Sequence, residues 1–261
     1  MKRIFSKFKG FIIDLDGVMY LDQKLLPFAK SFINFLNKNN KKYIFLTNDS
    51  SVSPHDYSII LRKLGIKCSK EQVVTPISNF INIIKKGTLT KKNIMVFSSN
   101  KLKNFIRKEK IEIIPQANKF KDSNSILVSG HIDFNYKDLM YASLCVQNGA
   151  SLYATSIDNS YPTKLGNVPA TGSIIAAITK TFPTKVVNLG KPSKKIFALG
   201  VERLALDKSE ILTIGDNLKT DIHGSNSAGI KSALVLTGKT TITMAKKSKI
   251  KPDYIIKNLK I

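Results

Sequence analysis

The chain has 261 residues, 43 % hydrophobic and 23 % charged, with apolar runs of five or six residues at most; it can bury a substantial core but holds no segment able to span a bilayer. Its two cysteines, Cys68 and Cys145, have neither metal-ligand spacing nor the pattern of a disulfide framework. A formal net charge of +24 could draw a polyanion, but the lysines are scattered over segments 38–42, 85–92, 101–110 and 246–251 without a continuous basic stripe, so a solvated surface and no specific nucleic acid partner are expected.

The basic start Met1-Lys2-Arg3 meets Lys7, Lys9, Asp14 and Asp16 before any signal-peptide-length apolar stretch, and a cytoplasmic location follows by default. Gly10–Leu15 reads as a buried strand, and a helix over 28–37 carries Phe28, Phe32, Phe35 and Leu36 on one face. Lys42–Leu46 is a second strand. Pro54 opens a helix that Gly65 should stop, and Val73-Val74-Thr75-Pro76 is a short strand. The same alternation recurs between residues 77 and 182, with strands at Ile94–Phe97, Ile126–Val128 and Leu152–Ala154 and helices at 100–109, 137–148 and after Gly172. It resumes with Val186–Leu189, a helix over 194–205, Ile211–Ile214 and Ala233–Leu236. This is an α/β pattern with a mostly parallel sheet. A second α/β unit at 77–182, inserted between core segments 1–76 and 183–261, would explain why polar motifs fall only in the outer segments.

Four of these strands end in polar residues. Asp14 and Asp16 stand two residues apart in Asp-Leu-Asp-Gly; carboxylates at the edge of an apolar core need a partner, and here one could attack while the other moves a proton. Thr47-Asn48 offers a hydroxyl and backbone N–H groups to a phosphate oxygen. Lys191, in Gly-Lys-Pro, is a compact cation between a strand and a helix. Gly215-Asp216 is followed by Asp221 five residues after Asp216. Ligands of open parallel sheets bind beyond the carboxyl ends of the strands, so folding would gather all four segments. Carboxylates, one Lys and one Thr without clustered His or Cys suit a hard, oxygen-preferring cation such as Mg2+.

These motifs resemble those of the haloacid dehalogenase (HAD) superfamily hydrolases, in the subfamily typified by NagD, 4-nitrophenylphosphatase and pyridoxal phosphatase. The resemblance rests on Asp14, Asp16, Thr47, Lys191, Asp216 and Asp221 and on the long gap from Thr47 to Lys191. Further matching stretches are 133–139, Gly149-Ala150, Ala154-Thr155, Thr171-Gly172-Ser173, Ala228-Gly229-Ile230 and Leu236-Thr237-Gly238. Asp49, Ser156-Ile157-Asp158 and Ala170 depart from the usual pattern, away from the catalytic positions.

The resemblance implies a Rossmann-like parallel-sheet core with an inserted α/β cap. It also implies a Mg2+-dependent phosphatase acting on a small-molecule phosphate monoester of the sugar phosphate, nucleotide, pyridoxal phosphate or phosphoglycolate class. By it, Asp14 attacks phosphorus and becomes an aspartyl-phosphate, and Asp16 serves as general acid and then base. Asp14, the Asp16 carbonyl and Asp216 hold the metal, Asp221 supports them, and Thr47, Asn48 and Lys191 hold the phosphoryl group. In the cap, Asp158 and Tyr161 are substrate candidates, Tyr161 because the matching residue of pyridoxal phosphatases contacts the substrate ring. A homodimer is left open. The competing readings are a phosphomutase, an idle HAD-fold binding or regulatory protein, and a basic nucleic-acid binder; the presence of Asp14, Asp16 and Asp216 disfavours the idle protein.

Overall fold

Gly10-Phe11-Ile12-Ile13 is buried at every position, as befits a strand covered on both faces. In the computed structural model, which describes residues 2–22, 24–115, 119–163 and 165–261, it is an interior strand of a six-stranded sheet. Lys42–Leu46 and then Val73–Val74 lie on one side of it; Ile211–Gly215, Lys231–Val235 and Tyr254–Ile256 lie on the other. Every pairing is parallel. Numbered along the chain, the six strands run 3-2-1-4-5-6, the doubly wound order whose switch point lies between strands 1 and 4. Those two strands are the ones that end at Asp14 and Asp216.

Alternate side chains of the sheet enter different cores. Phe11 packs edge-on against Phe5 and Phe32, the latter on the helix Ala29–Lys38. Ile12, Ile44, Val74 and Ile211 join Ile196, Phe197 and Leu199 of the helix Lys194–Leu204 on the opposite face. The helix opened by Pro54 runs to Lys63, and Gly65 follows with φ +83°, the left-handed conformation favoured just past a helix end.

The chain divides into two compact units, one comprising 1–47, 54–75 and 191–261 and the other 48–53 and 76–190. The second unit has a four-stranded parallel sheet in the order Val186–Asn188, Ser151–Ala154, Ser125–Val128, Ile94–Phe97. Its strands alternate cleanly: Val96, Leu127 and Tyr153 enter one apolar cluster, while Met95, Phe97, Ile126, Val128 and Leu152 enter the other.

Two sequence expectations need correction. The strand expected at Val186–Leu189 to resume the core after residue 182 forms as Val186–Asn188 and pairs with Ser151–Ala154 at the edge of the insert's sheet, so the units divide at Gly190–Lys191 and Asn48–Ser53 groups with the insert. An apolar run of this length fits an edge position in either sheet. Pro76, read as the end of a strand, instead begins the helix Pro76–Lys85, whose Ile77, Phe80, Ile81 and Ile84 are buried.

Candidate active site

The central ladder delivers Asp14 to its position: its N–H donates to the Ile214 carbonyl at 2.9 Å, one step beyond the last paired residue. On the neighbouring strand the Thr47 N–H donates to the Val74 carbonyl at 3.1 Å. Lys191 follows the insert directly and is 4 % exposed. Its Nζ donates to Asp14 Oδ1 and to Asp221 Oδ1, at 2.6 Å each. Asp221 is held in turn: its Oδ2 accepts the Asn217 N–H at 3.1 Å. It sits in the π-helical turn Leu218–Ile222, a geometry that often marks functional positions. Gly215 makes this possible, because a β-carbon there would overlap the Asp221 side chain.

Carboxylate oxygens of Asp14, Asp216 and Asp221 lie within 4.8 Å of one another, all three residues buried. Burial, then the Asp221 charge, pushes the Asp14 carboxyl well above the usual range against the pull of Lys191. Burial and Asp221 likewise raise Asp216 to about 6, opposed by the Lys239 N–H and by Lys191. Burial opposes the Lys191 charge, yet the two aspartates beside it hold its pKa above the ordinary lysine value. Fully ionised, three carboxylates against one ammonium would leave two negative charges. With no sulfur or imidazole in the group, that donor set fits a divalent, oxygen-preferring ion such as Mg2+.

Asp16 lies just past Asp14, exposed, in a turn where the Gly17 N–H donates to the Tyr20 carbonyl at 2.8 Å. Gly17 has φ +73°, and a β-carbon on it would overlap the Asp216 carboxylate. The Asp-x-Asp-Gly pattern therefore owes its glycine to a positive φ and to a close approach.

Among the residues expected in the site, Asp14, Lys191, Asp216 and Asp221 come together in the first unit. Asn48 and Asp158 meet each other in the second: Asn48 Nδ2 donates to Asp158 Oδ2 at 3.3 Å, and the Ser156 hydroxyl donates to the same oxygen at 2.7 Å. The Asp158 carboxylate thus secures its own loop. Gly190 lies against Asn48; a β-carbon there would come within 2.6 Å of Asn48 Oδ1 and 2.5 Å of the Thr155 carbonyl. Tyr161 is on the antiparallel hairpin Ser160–Thr163/Gly166–Pro169 and is 54 % exposed. Sequence reasoning missed the loop after Leu236 as part of the site. The Lys239 N–H donates to Asp216 Oδ2 at 2.5 Å, and the signal was the Thr-Gly-Lys-Thr run directly after a strand.

Residues 11–112 match the haloacid dehalogenase-like hydrolase model, and residues 188–260 match a HAD-hydrolase-like model. An acid sugar phosphatase of Staphylococcus haemolyticus is 29 % identical over 98 % of this chain and 95 % of its own. The structure of a 4-nitrophenylphosphatase from Thermotoga maritima matches with a TM-score of 0.89 and 31 % identity, covering 98 % of this chain and 96 % of that one. A glycerol phosphate phosphatase from Mycobacterium tuberculosis, solved in complex with magnesium, matches with a TM-score of 0.87 and 25 % identity over 97 % of this chain and 75 % of that one. Asp14 lies within the first matched segment and Lys191, Asp216 and Asp221 within the second, and the chain belongs to the haloacid dehalogenase-like hydrolase family.

Proposed function

We propose that this phosphatase hydrolyses a small-molecule phosphate monoester through an aspartyl-phosphate on Asp14, with Mg2+ as cofactor. The observation that carries the reading is the buried Lys191 bridge, 2.6 Å to Asp14 and 2.6 Å to Asp221, at the switch point of the core sheet. Lys191 takes Oδ1 of Asp14, orients the carboxylate and offsets its charge as a phosphate dianion approaches. The other oxygen attacks phosphorus, the bond to the leaving oxygen breaks, and the Asp16 carboxyl gives that oxygen its proton. Asp16, now a carboxylate, takes a proton from water; the water oxygen attacks phosphorus, the bond to Asp14 breaks, and inorganic phosphate leaves. An exposed Asp16 is suited to both transfers. Asp14, the Asp16 carbonyl and Asp216 would hold Mg2+, which when bound offsets the charge of the phosphoryl oxygens. Thr47, Asn48 and Lys191 are assigned to the phosphoryl oxygens, and Asp221 to Lys191.

Relatives acting on sugar phosphate, glycerol phosphate and 4-nitrophenyl phosphate point to small esters. Tyr161, exposed on its hairpin, is assigned to the leaving group. Asp158 is assigned to holding the loop before that hairpin. The test is Asp14→Asn, assayed on 4-nitrophenyl phosphate with Mg2+. Loss of turnover is expected, since an amide keeps the shape but is a far poorer nucleophile, and wild-type turnover would overturn the assignment.

A further inference from the structure

The loop Thr237–Thr240 supplies no reacting group, yet it grips two segments that do. The Thr237 hydroxyl donates to the Gly17 carbonyl at 2.6 Å. The Lys239 N–H donates to Asp216 Oδ2 at 2.5 Å, and the Thr240 N–H donates to the Asp216 main-chain carbonyl at 3.1 Å. Thr240 Oγ1 accepts the Leu218 N–H at 3.4 Å, at the start of the turn that carries Asp221. Gly238 lies between these contacts. A β-carbon on it would overlap the Asp216 carboxylate and come within 2.8 Å of the Gly17 α-carbon.

We infer that Thr237–Thr240 is the positioning element of the cation site, fixing which oxygen of Asp216 serves as ligand and holding the Asp16–Gly17 turn beside it. The inference rests on the metal reading above. A carboxylate with both oxygens equivalent can rotate between them. The Lys239 N–H commits Oδ2 and leaves Oδ1 to the ion, as outer hydrogen bonds orient metal ligands generally. Thr237 ties the other wall, because the Gly17 carbonyl it holds belongs to the peptide next after the Asp16 carbonyl. One four-residue loop therefore keeps an acidic ligand and a backbone ligand in register.

The experiment is Mn2+ binding to the full chain, followed by electron paramagnetic resonance, for wild type, Thr237→Val, Thr237→Ser and Gly238→Ala. Circular dichroism confirms folding at the assay temperature. Thr237→Val and Gly238→Ala should weaken Mn2+ binding by roughly 10-fold or more, the usual effect of losing an outer hydrogen bond. Thr237→Ser, which keeps the hydroxyl, should restore most of the affinity. A purely structural loop would lower the melting temperature and leave Mn2+ affinity unchanged. Folded Thr237→Val binding Mn2+ like the wild type overturns this inference alone. A wild type that binds no Mn2+ overturns the metal reading together with it.

Discussion

Replacing Asp216 by asparagine should make the metal-free protein more stable at neutral pH, although it removes a site residue. The Asp216 carboxyl is raised from an ordinary 3.8 to about 6, first by burial and then by the Asp221 charge. An acid whose folded pKa exceeds its unfolded one favours folding most below the unfolded value, and that advantage is lost as pH rises through the folded value. The window here runs from about pH 4 to about pH 6. At about 1.4 kcal/mol per pH unit, the full cost of keeping Asp216 charged in the fold is about 3 kcal/mol, and about 2 kcal/mol of it falls between pH 4.5 and 7.5. Asparagine is nearly isosteric, and its carbonyl can still accept the Lys239 N–H. Urea unfolding in EDTA at the two pH values, for wild type and Asp216→Asn, reads the effect as a difference in which titrating groups distant from Asp14 and Asp221 cancel. The variant should gain about 2 kcal/mol on the wild type between pH 4.5 and 7.5. A stability difference flat with pH would refute the reasoning. Added Mg2+ should reverse the order, since it stabilises only the protein that binds it.

Asp16→Asn should lose less activity on 4-nitrophenyl phosphate than on an alkyl phosphate, because a good leaving group needs little protonation; equal losses in kcat would count against Asp16 as the general acid. Tyr161→Ala should shift relative kcat/KM among sugar phosphates, nucleotides, pyridoxal phosphate and phosphoglycolate while leaving the fold intact. A uniform loss across these esters would remove Tyr161 from substrate selection.

The strands that end at Asp14, Thr47 and Asp216 were legible because each is a short, mainly apolar run stopped by a polar residue, a pattern that burial on both faces imposes. Lys191 and Asp221 were legible through spacing and family resemblance; their shared bridge was not, since it joins residues 30 apart in sequence. Val186–Asn188 misled because Val186 and Val187 are β-branched and apolar whichever sheet they join. The hairpin strand Ser160–Thr163 gave no strand signal because Ser, Pro and Thr show no alternation of apolar and polar positions. The Thr237–Thr240 loop escaped because half its contribution comes from backbone N–H groups, which every residue except proline carries.

The close fit of Asn48 against Gly190 has a consequence for how the chain folds. Gly10 pairs with Ile211 in the core sheet, a contact that must close a loop of roughly 200 residues, and closure entropy grows with the logarithm of loop length. The second unit is built from 48–53 and 76–190, and its own fold sets Asn48 against Gly190. Once it is folded, the effective loop shrinks to roughly 60 residues, which lowers the closure cost by about 1 kcal/mol. During synthesis Asp14 emerges long before Lys191 and Asp216. Most of the residues that separate Asp14 from Lys191 in sequence thus belong to the unit whose folding would shorten the search that reunites them.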